Sequence, residues 1–162
     1  MDILIFVTVG TQDAPFDRLL KAVDKCIFDG TIKEEVIVQC GKTKFKSKNM
    51  KMVNLLPMDE FKKIVSEASL IIAHGGVGTI TDGINNGKVV IACPRLAKYK
   101  EAVNDHQLQI IKQFAKMGFI IPCYDPKDLK KAIEDSKKFK NKKYKSNTNN
   151  MVKLIENFID NN

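Results

Sequence analysis

Continuous apolar runs alternate along this chain with amphipathic helical stretches, and this alternation limits the fold more than any other feature. Because the runs are unbroken by polar residues, they predict strands that are buried on both faces. Strands are predicted at 3–9, 35–40, 69–73, 88–93 and 119–122, with a shorter one at 51–55. Helices are predicted at about 15–27, 58–68, 78–86 and 105–117, and another begins at Asp125-Pro126. The pattern indicates an α/β domain, a single Rossmann-like parallel sheet with helices on both faces.

Sheets of this kind bind their ligands beyond the carboxyl ends of the strands. Each of four segments follows a predicted strand and is therefore expected along that edge: 10–14, 41–50, 74–79 and 94–107. The chain has two histidines, and both His74 and His106 fall in these segments. We therefore expect the functional site at this edge of the sheet.

The segment 74–79, HGGVGT, joins a predicted buried strand to a predicted helix. Glycines let the backbone approach a bulky anion, and the free N–H groups of the following helix attract phosphate. His74 is suited to donate to a phosphate oxygen, and a nearby dianion would favour its charged form. The spacing matches neither the P-loop nor the common dinucleotide-binding pattern. The structural alternatives are an ordinary strand-to-helix turn and a buried core histidine.

The first strand ends in a second glycine turn, Gly10-Thr11-Gln12, which also leads into a helix. Two helix N-termini are thus predicted to converge on one diphosphate, although an ordinary turn would have the same sequence. Asp82 lies two helical turns beyond His74, where a carboxylate suits ribose hydroxyls or is simply a solvated helix residue.

A third polar group opens the helix predicted at 105–117 with the sequence NDHQ. Either Asn104 or Asp105 can act as the N-cap. His106 and Gln107 are not needed for the apolar face of the helix, so they suit a hydroxyl-rich ligand.

Composition sets broad limits on the function. The net charge of +8 permits a polyanion, an acidic membrane surface or a phosphate-bearing substrate as partner. The four cysteines form no C-x-x-C pair, so we expect them to be reduced and to bind no zinc. The apolar run 3–9 is too short to span a bilayer and is preceded by Asp2, so we expect a cytoplasmic chain.

Together these motifs resemble the C-terminal, donor-binding domain of GT-B glycosyltransferases, in particular glycosyltransferase family 28. The HGGVGT segment, followed by Asp82-Gly83, Gly87 and Pro94, has the order and spacing of the nucleotide-sugar signature, and 105–107 resembles its sugar-proximal end. Within this family, a short chain like this one resembles the small subunit of two-part enzymes. One such subunit is the bacterial exopolysaccharide PssE type. Another is the eukaryotic catalytic subunit that adds the second N-acetylglucosamine to a dolichol-diphosphate-linked sugar.

The resemblance implies a UDP-sugar as donor substrate, with no cofactor and no metal. It implies that the diphosphate is held by His74, Gly75, Gly76, Gly78 and Thr79. His74 is the best candidate for stabilising the leaving group, and the general base is not identified. The remaining implied contacts are Gly10 and Thr11 in the same pocket, Gln12 near the donor, Asp82 on the ribose, and Asn104, Asp105, His106 and Gln107 on the sugar hydroxyls. Asp82 replaces the Glu of plant members, which shortens its reach, and Val77 replaces a common aromatic residue.

The resemblance also implies a membrane-anchored partner subunit that supplies the acceptor-binding half, and a lipid-linked sugar as acceptor. No D-x-D sequence occurs, so a metal-bridged diphosphate is disfavoured. We divide the chain into a nucleotide-sugar-binding domain, 1–146, and an amphipathic C-terminal helix, 147–162, as a candidate partner contact.

Two other functions compete with a catalytic subunit. A non-catalytic enhancer would keep the fold and only stabilise another glycosyltransferase. A nucleic-acid binder would use the lysines of 137–145, but only Phe139 and Tyr144 lie among them as stacking aromatics, so this function is disfavoured.

Overall fold

Six parallel strands form one sheet in the computed structural model, which describes residues 3–141. The spatial order is β3-β2-β1-β4-β5-β6, and every neighbouring pair is parallel. The strands are β1 (Leu4–Thr8), β2 (Glu35–Gln39), β3 (Lys51–Val53), β4 (Leu70–His74), β5 (Val89–Cys93) and β6 (Ile121–Pro122). This is the strand order of a Rossmann-like sheet, so the predicted fold is confirmed.

Helices cover both faces of the sheet, as predicted. They are α1 (Asp17–Phe28), α2 (Met58–Glu67), α3 (Val77–Asn85), α4 (His106–Lys116) and α5 (Leu129–Ser136). Side chains of α1 and α5 share one apolar core with alternate residues of the strands, and those of α2, α3 and α4 share a second core on the opposite face. Every residue of β1 and of β4 is buried, which explains their unbroken apolar sequences.

Gly118 ends α4 in a left-handed conformation, with φ of +80°. Its N–H donates to the carbonyl of Ala115 at 3.0 Å, and the N–H of Phe119 donates to the carbonyl of Phe114 at 3.1 Å. This pair of bonds is the Schellman motif, in which glycine commonly occupies the left-handed position. Because the Phe119 amide closes the helix, β6 begins only at Ile121 and is shorter than predicted.

Asp125 caps the following turn, as predicted. Its Oδ1 accepts from the N–H of Lys127 at 3.0 Å. Pro126 begins a short 3₁₀ helix, Pro126–Asp128, which leads directly into α5.

Among residues 3–141 no helix is long and apolar enough to cross a membrane. The predicted boundary after residue 146 and the predicted helix 147–162 lie outside the described residues and stay predictions.

β1 and β4 are neighbours at the centre of the sheet, and Thr8 is paired with Ala73 near their carboxyl ends. The chain continues from β1 to β2 on one side and from β4 to β5 on the other. A sheet of this order has a crevice at the point of reversal, outside the carboxyl ends of the strands. The turn after β1 and the turn after β4 therefore meet at the crevice.

Candidate functional site

A cleft of about 890 Å³ opens at this crevice. Its walls are the loops that follow β1, β4 and β5, together with the first turns of α4. The predicted site residues that line the cleft are Gln12, His74, Gly75, Gly76, Asn104, His106 and Gln107. The predicted residues that lie outside this lining are Gly10, Thr11, Gly78, Thr79, Asp82 and Asp105.

The ring of His74 is packed between the two glycine turns. A methyl group on Gly10 would come within 2.7 Å of Nε2 of His74, and one on Gly76 would collide with the same atom. Gly10 also has φ of +83°, a conformation that L side chains rarely adopt. The histidine thus fits only because both turns present glycine to it, and the three residues form one packed unit.

Burial favours the neutral form of His74, a residue that is only 9% exposed. Burial, and then the charge of Arg95, lower the pKa of His74 to about 4, and the contact with Thr8 offsets only part of this. Nδ1 lies 3.4 Å from the carbonyl oxygen of Thr8, which only accepts, so Nδ1 carries the proton. At neutral pH the Nε2 that faces the two glycines is therefore an acceptor. Donation from Nε2 to a phosphate, as expected from the sequence, requires a second proton on the ring.

The N-terminus of α3 presents free amides beside His74. Gly76 is the N-cap, and the first bond of the helix runs from the N–H of Ile80 to the carbonyl of Gly76 at 3.1 Å. The N–H groups of Val77, Gly78 and Thr79 come before this bond and have no acceptor within the helix. A methyl group on Gly78 would meet nothing within 4 Å, so the side of the helix at Gly78 is uncovered. Such a helix end attracts anions.

Gln107 fastens the turn after β4 to the loop after β5. Its Oε1 accepts from the N–H groups of Gly75 and Arg95, both at 3.0 Å. A methyl group on Gly75 would come within 2.6 Å of Cβ of Gln107, so glycine is required at this contact. Because both lone pairs of Oε1 are used, only the amide nitrogen of Gln107 is left for the predicted sugar contact.

Asn104 and Asp105 both hold backbone groups around the cleft. Asp105 is the N-cap residue of α4 but makes no capping bond with its side chain, whereas Oδ1 of Asn104 accepts from the N–H of His106 at 3.1 Å. Oδ1 of Asp105 accepts from the N–H of Ala97 at 2.9 Å and holds the loop after β5. The side chain of His106 is exposed and lines the cleft.

A fully buried arginine, Arg95, lies beneath the cleft and was not anticipated from the sequence. It donates to the carbonyl of Val9 from Nε at 3.0 Å and from Nη2 at 2.5 Å. Its Nη1 donates to the carbonyls of Ala14 at 2.7 Å and Glu101 at 2.9 Å. Arg95 thereby joins two loops of the cleft. Within residues 3–141 no carboxylate oxygen is hydrogen-bonded to its guanidinium, so its positive charge lies under the site without a directly bonded counter-ion.

The carboxylate of Glu101 is instead paired with Arg18. Nε of Arg18 donates to Oε1 of Glu101, and Nη2 of Arg18 donates to Oε2 at 3.0 Å. Burial alone would lower the pKa of Arg18, but the hydrogen bond and charge of Glu101 outweigh it and raise that pKa. Arg18 also stacks on the ring of Tyr99 at 4.0 Å from its centre, so the loop after β5 is held against α1.

Asp82 lies on α3 beyond the cleft lining and is half-buried. Burial raises the pKa of its carboxyl, and the positive charge of Lys62 offsets part of this rise. In the part of the chain that the structure describes, no hydrogen bond to this carboxyl is found, so its oxygens are available to hydroxyl donors.

The segment 41–50 was also expected at the ligand edge, but it does not line the cleft. It packs behind the loop after β1 instead. Thr43 Oγ1 accepts from the N–H of Phe16 at 3.0 Å, and Lys42 is paired with Asp13. The segment therefore supports the site from outside.

Known proteins resemble this chain in sequence and in fold. The sequence model of the glycosyltransferase family 28 C-terminal domain matches residues 4–161. The human UDP-N-acetylglucosamine transferase subunit ALG13 is 28% identical over 130 residues, which are 74% of this chain and 11% of that protein. This chain therefore spans only a small part of that relative.

Solved structures share the fold. The solution structure of ALG13 superposes with a TM-score of 0.61 at 19% identity, covering 95% of each chain. The calicheamicin glycosyltransferase CalG4 superposes with a TM-score of 0.63 at 14% identity, covering 99% of this chain and 38% of the other.

Proposed function

The chain belongs to the glycosyltransferase family 28 C-terminal domain family, and from this we propose that it is the donor-binding catalytic subunit of a two-part glycosyltransferase. In this proposal it moves a sugar from a UDP-sugar to a lipid-linked acceptor in polysaccharide or glycan biosynthesis. Its partner is a membrane-anchored subunit that binds the acceptor. The chain itself is cytoplasmic and peripheral to the membrane, and it turns over only with its partner.

The observation that carries the proposal is the packing of His74 between Gly10 and Gly76 at one crevice. It brings the turn after β1 against the turn that begins α3, and the first amides of α3 have no acceptor within the helix. A diphosphate is the part of a UDP-sugar that matches such a group of donors. The buried charge of Arg95 adds a positive field beneath the same place.

Catalysis in this proposal consists of stabilising the leaving group. The bond between the anomeric carbon and the diphosphate breaks, and its electrons pass to a phosphate oxygen that the amides at the start of α3 stabilise. The negative charge raises the pKa of His74, so the ring gains a second proton and donates from Nε2. The acceptor hydroxyl attacks the anomeric carbon and gives its proton to a base on the partner.

The name of a relative supports a divided enzyme. Human ALG13, which is 28% identical to this chain over 130 residues, is called a subunit of a UDP-N-acetylglucosamine transferase. On that likeness we assign the acceptor-binding half, and the general base with it, to a second chain.

One observation favours the alternative, a non-catalytic enhancer of another glycosyltransferase. The neutral form of His74 presents no proton to the cleft, as expected of a residue that is purely structural. The two functions differ in what His74→Ala does, because an enhancer needs the fold and a catalytic subunit needs the imidazole.

The test is sugar transfer in membranes that hold the chain and its native partner. Labelled UDP-sugars are supplied singly, and label that enters the organic-extractable lipid is counted. A catalytic subunit predicts label that depends on the chain and falls at least about a hundredfold in His74→Ala. Circular dichroism and partner co-purification establish that the variant is folded and bound. A folded, partner-bound His74→Ala with full transfer would assign the enhancer function instead.

A further inference from the structure

Lys100 is the one residue other than glycine that has a positive φ among residues 3–141, with φ of 58° and ψ of 31°. Residues with a Cβ avoid this left-handed region, and glycine is the usual occupant at the end of a helix. Lys100 occupies that place at the end of the short 3₁₀ helix Ala97–Tyr99. The sequence thus keeps a lysine where the backbone favours glycine.

The left-handed turn is enforced by its neighbours rather than by Lys100 itself. The N–H of Lys100 donates to the carbonyl of Ala97 at 2.9 Å, and the N–H of Glu101 donates to the carbonyl of Leu96 at 3.2 Å. Glu101 is buried, and its carbonyl accepts from Arg95 while its carboxylate pairs with Arg18. Because these contacts fix the backbone, the identity of residue 100 is free to serve another purpose.

The side chain of Lys100 lines the 890 Å³ cleft. Of the residues in that lining, Lys100 alone carries a permanent positive charge, since Asp13 is acidic and His74 is neutral at pH 7. Asp13 is already paired with Lys42, which is not among the lining residues. Lys100 is exposed and has no ion pair in the described part of the chain, so its ammonium group is available to an anion.

We infer that Lys100 is a donor-binding residue whose ammonium group contacts an anionic oxygen of the nucleotide sugar. The inference rests on the proposed function and adds to it a cation supplied by the loop after β5. The anionic oxygen belongs either to the diphosphate or to a carboxylate on an acidic sugar. Both present the same chemistry to an ammonium group, and donors with and without a sugar carboxylate distinguish them.

Lys100→Gly separates binding from folding because the two effects have opposite signs. Glycine relieves the left-handed strain, so the melting temperature is expected to rise by about 2–4 °C. The loss of one charge-assisted contact is expected to weaken donor binding about tenfold. A residue with only a structural role would show the higher melting temperature with unchanged affinity.

Affinities are measured by NMR titration of the whole chain with UDP, UDP-N-acetylglucosamine and UDP-glucuronic acid. Lys100→Arg keeps the charge and is expected to bind within about threefold of wild type. Lys98→Ala removes a lysine of the same loop that lies against Tyr99 rather than in the cleft, and is expected to leave affinity unchanged.

Equal weakening of all three ligands in Lys100→Gly places the ammonium group at the diphosphate, and weakening of UDP-glucuronic acid alone places it at the sugar. Either result supports the inference. Wild-type affinity of Lys100→Gly for all three ligands overturns it while leaving the proposed function intact. A wild-type chain that binds none of them overturns the proposed function and this inference together.

Discussion

Gly10 and His74 are packed so closely that a methyl group on Gly10 would come within 2.7 Å of Nε2 of the histidine. The two residues end neighbouring strands at the point where the order of the sheet reverses. Their contact therefore makes the position of one turn depend on the position of the other, and any group that opens one turn disturbs both.

Gly10→Ala is expected to lower the free energy of unfolding by about 3 kcal/mol, from the positive φ and the collision with His74 together. Gly30 supplies a matched control, because it also has φ of +83° but a methyl group on it would meet nothing within 4 Å. Gly30→Ala should cost about 1 kcal/mol, which is the backbone part alone. Urea unfolding measures both, and equal losses would contradict the close packing of Gly10 on His74.

His74 is expected to make the fold less stable in acid. Its folded pKa of about 4 lies below the value of 6.5 for an exposed histidine, so the unfolded chain binds the extra proton first. Stability is therefore complete above pH 6.5 and falls by about 3 kcal/mol as the pH is lowered towards 4. Urea unfolding across this range measures how the free energy of unfolding changes with pH. His74→Gln keeps all the carboxylates and lacks only the histidine, so the difference between the two chains isolates the contribution of His74. A slope that persists unchanged in His74→Gln would assign the loss to other groups.

The same pKa is observable directly by NMR. The chain has two histidines, so the ring resonances are assigned with His106→Asn. The His74 resonance should titrate near pH 4, and saturating UDP should move its midpoint upwards, because a bound diphosphate favours the charged ring. An unchanged midpoint with UDP bound would show that the phosphates lie away from His74.

Gln107→Leu is expected to destabilise the fold by about 2 kcal/mol, because it leaves the N–H groups of Gly75 and Arg95 without an acceptor. Gln109, two residues further along α4, is the matched control, since its Oε1 is buried without a hydrogen-bond partner within residues 3–141. Gln109→Leu should therefore be neutral or stabilising. Thermal unfolding compares the two variants, and a larger loss in Gln109→Leu would contradict the bridging role of Gln107.

Arg95→Met is expected to lower the free energy of unfolding by about 3–5 kcal/mol, because three backbone carbonyls inside the loops lose their donor. Arg95→Lys retains the charge but cannot reach all three carbonyls at once, so it should recover only part of the loss. Chemical unfolding of both variants tests this. A fully stable Arg95→Met would mean that the two loops are held by other contacts.

Most of the fold followed from the sequence because its signals are local. Unbroken apolar runs such as 70–73 are typical of strands buried on both faces of a parallel sheet. The junction of the turns at Gly10 and His74 also followed, since strand order and the position of ligand sites in such sheets are general rules.

The buried arginine beneath the site could not be predicted from the sequence, because a charged side chain after a strand is normally expected in solvent. Arg95 is instead enclosed by carbonyls of residues distant in sequence, which no local pattern encodes. One signal in the sequence did point to Arg95. The chain has 27 basic residues, and all of them except Arg18 and Arg95 are lysines. In the structure both arginines donate to Glu101. Only a guanidinium donates to several acceptors in fixed directions, which explains why lysine did not replace it.

Binding of UDP tests whether the turns after β1 and β4 hold the diphosphate of the donor together. Amide chemical shifts of the labelled chain are mapped in a titration with UDP and, in parallel, with uridine. UDP is expected to shift the amides of Gly10, Gly76 and Gly78 together with a single dissociation constant, and uridine is expected to leave them unmoved. Shifts confined to other parts of the chain, or equal responses to uridine and UDP, would contradict it.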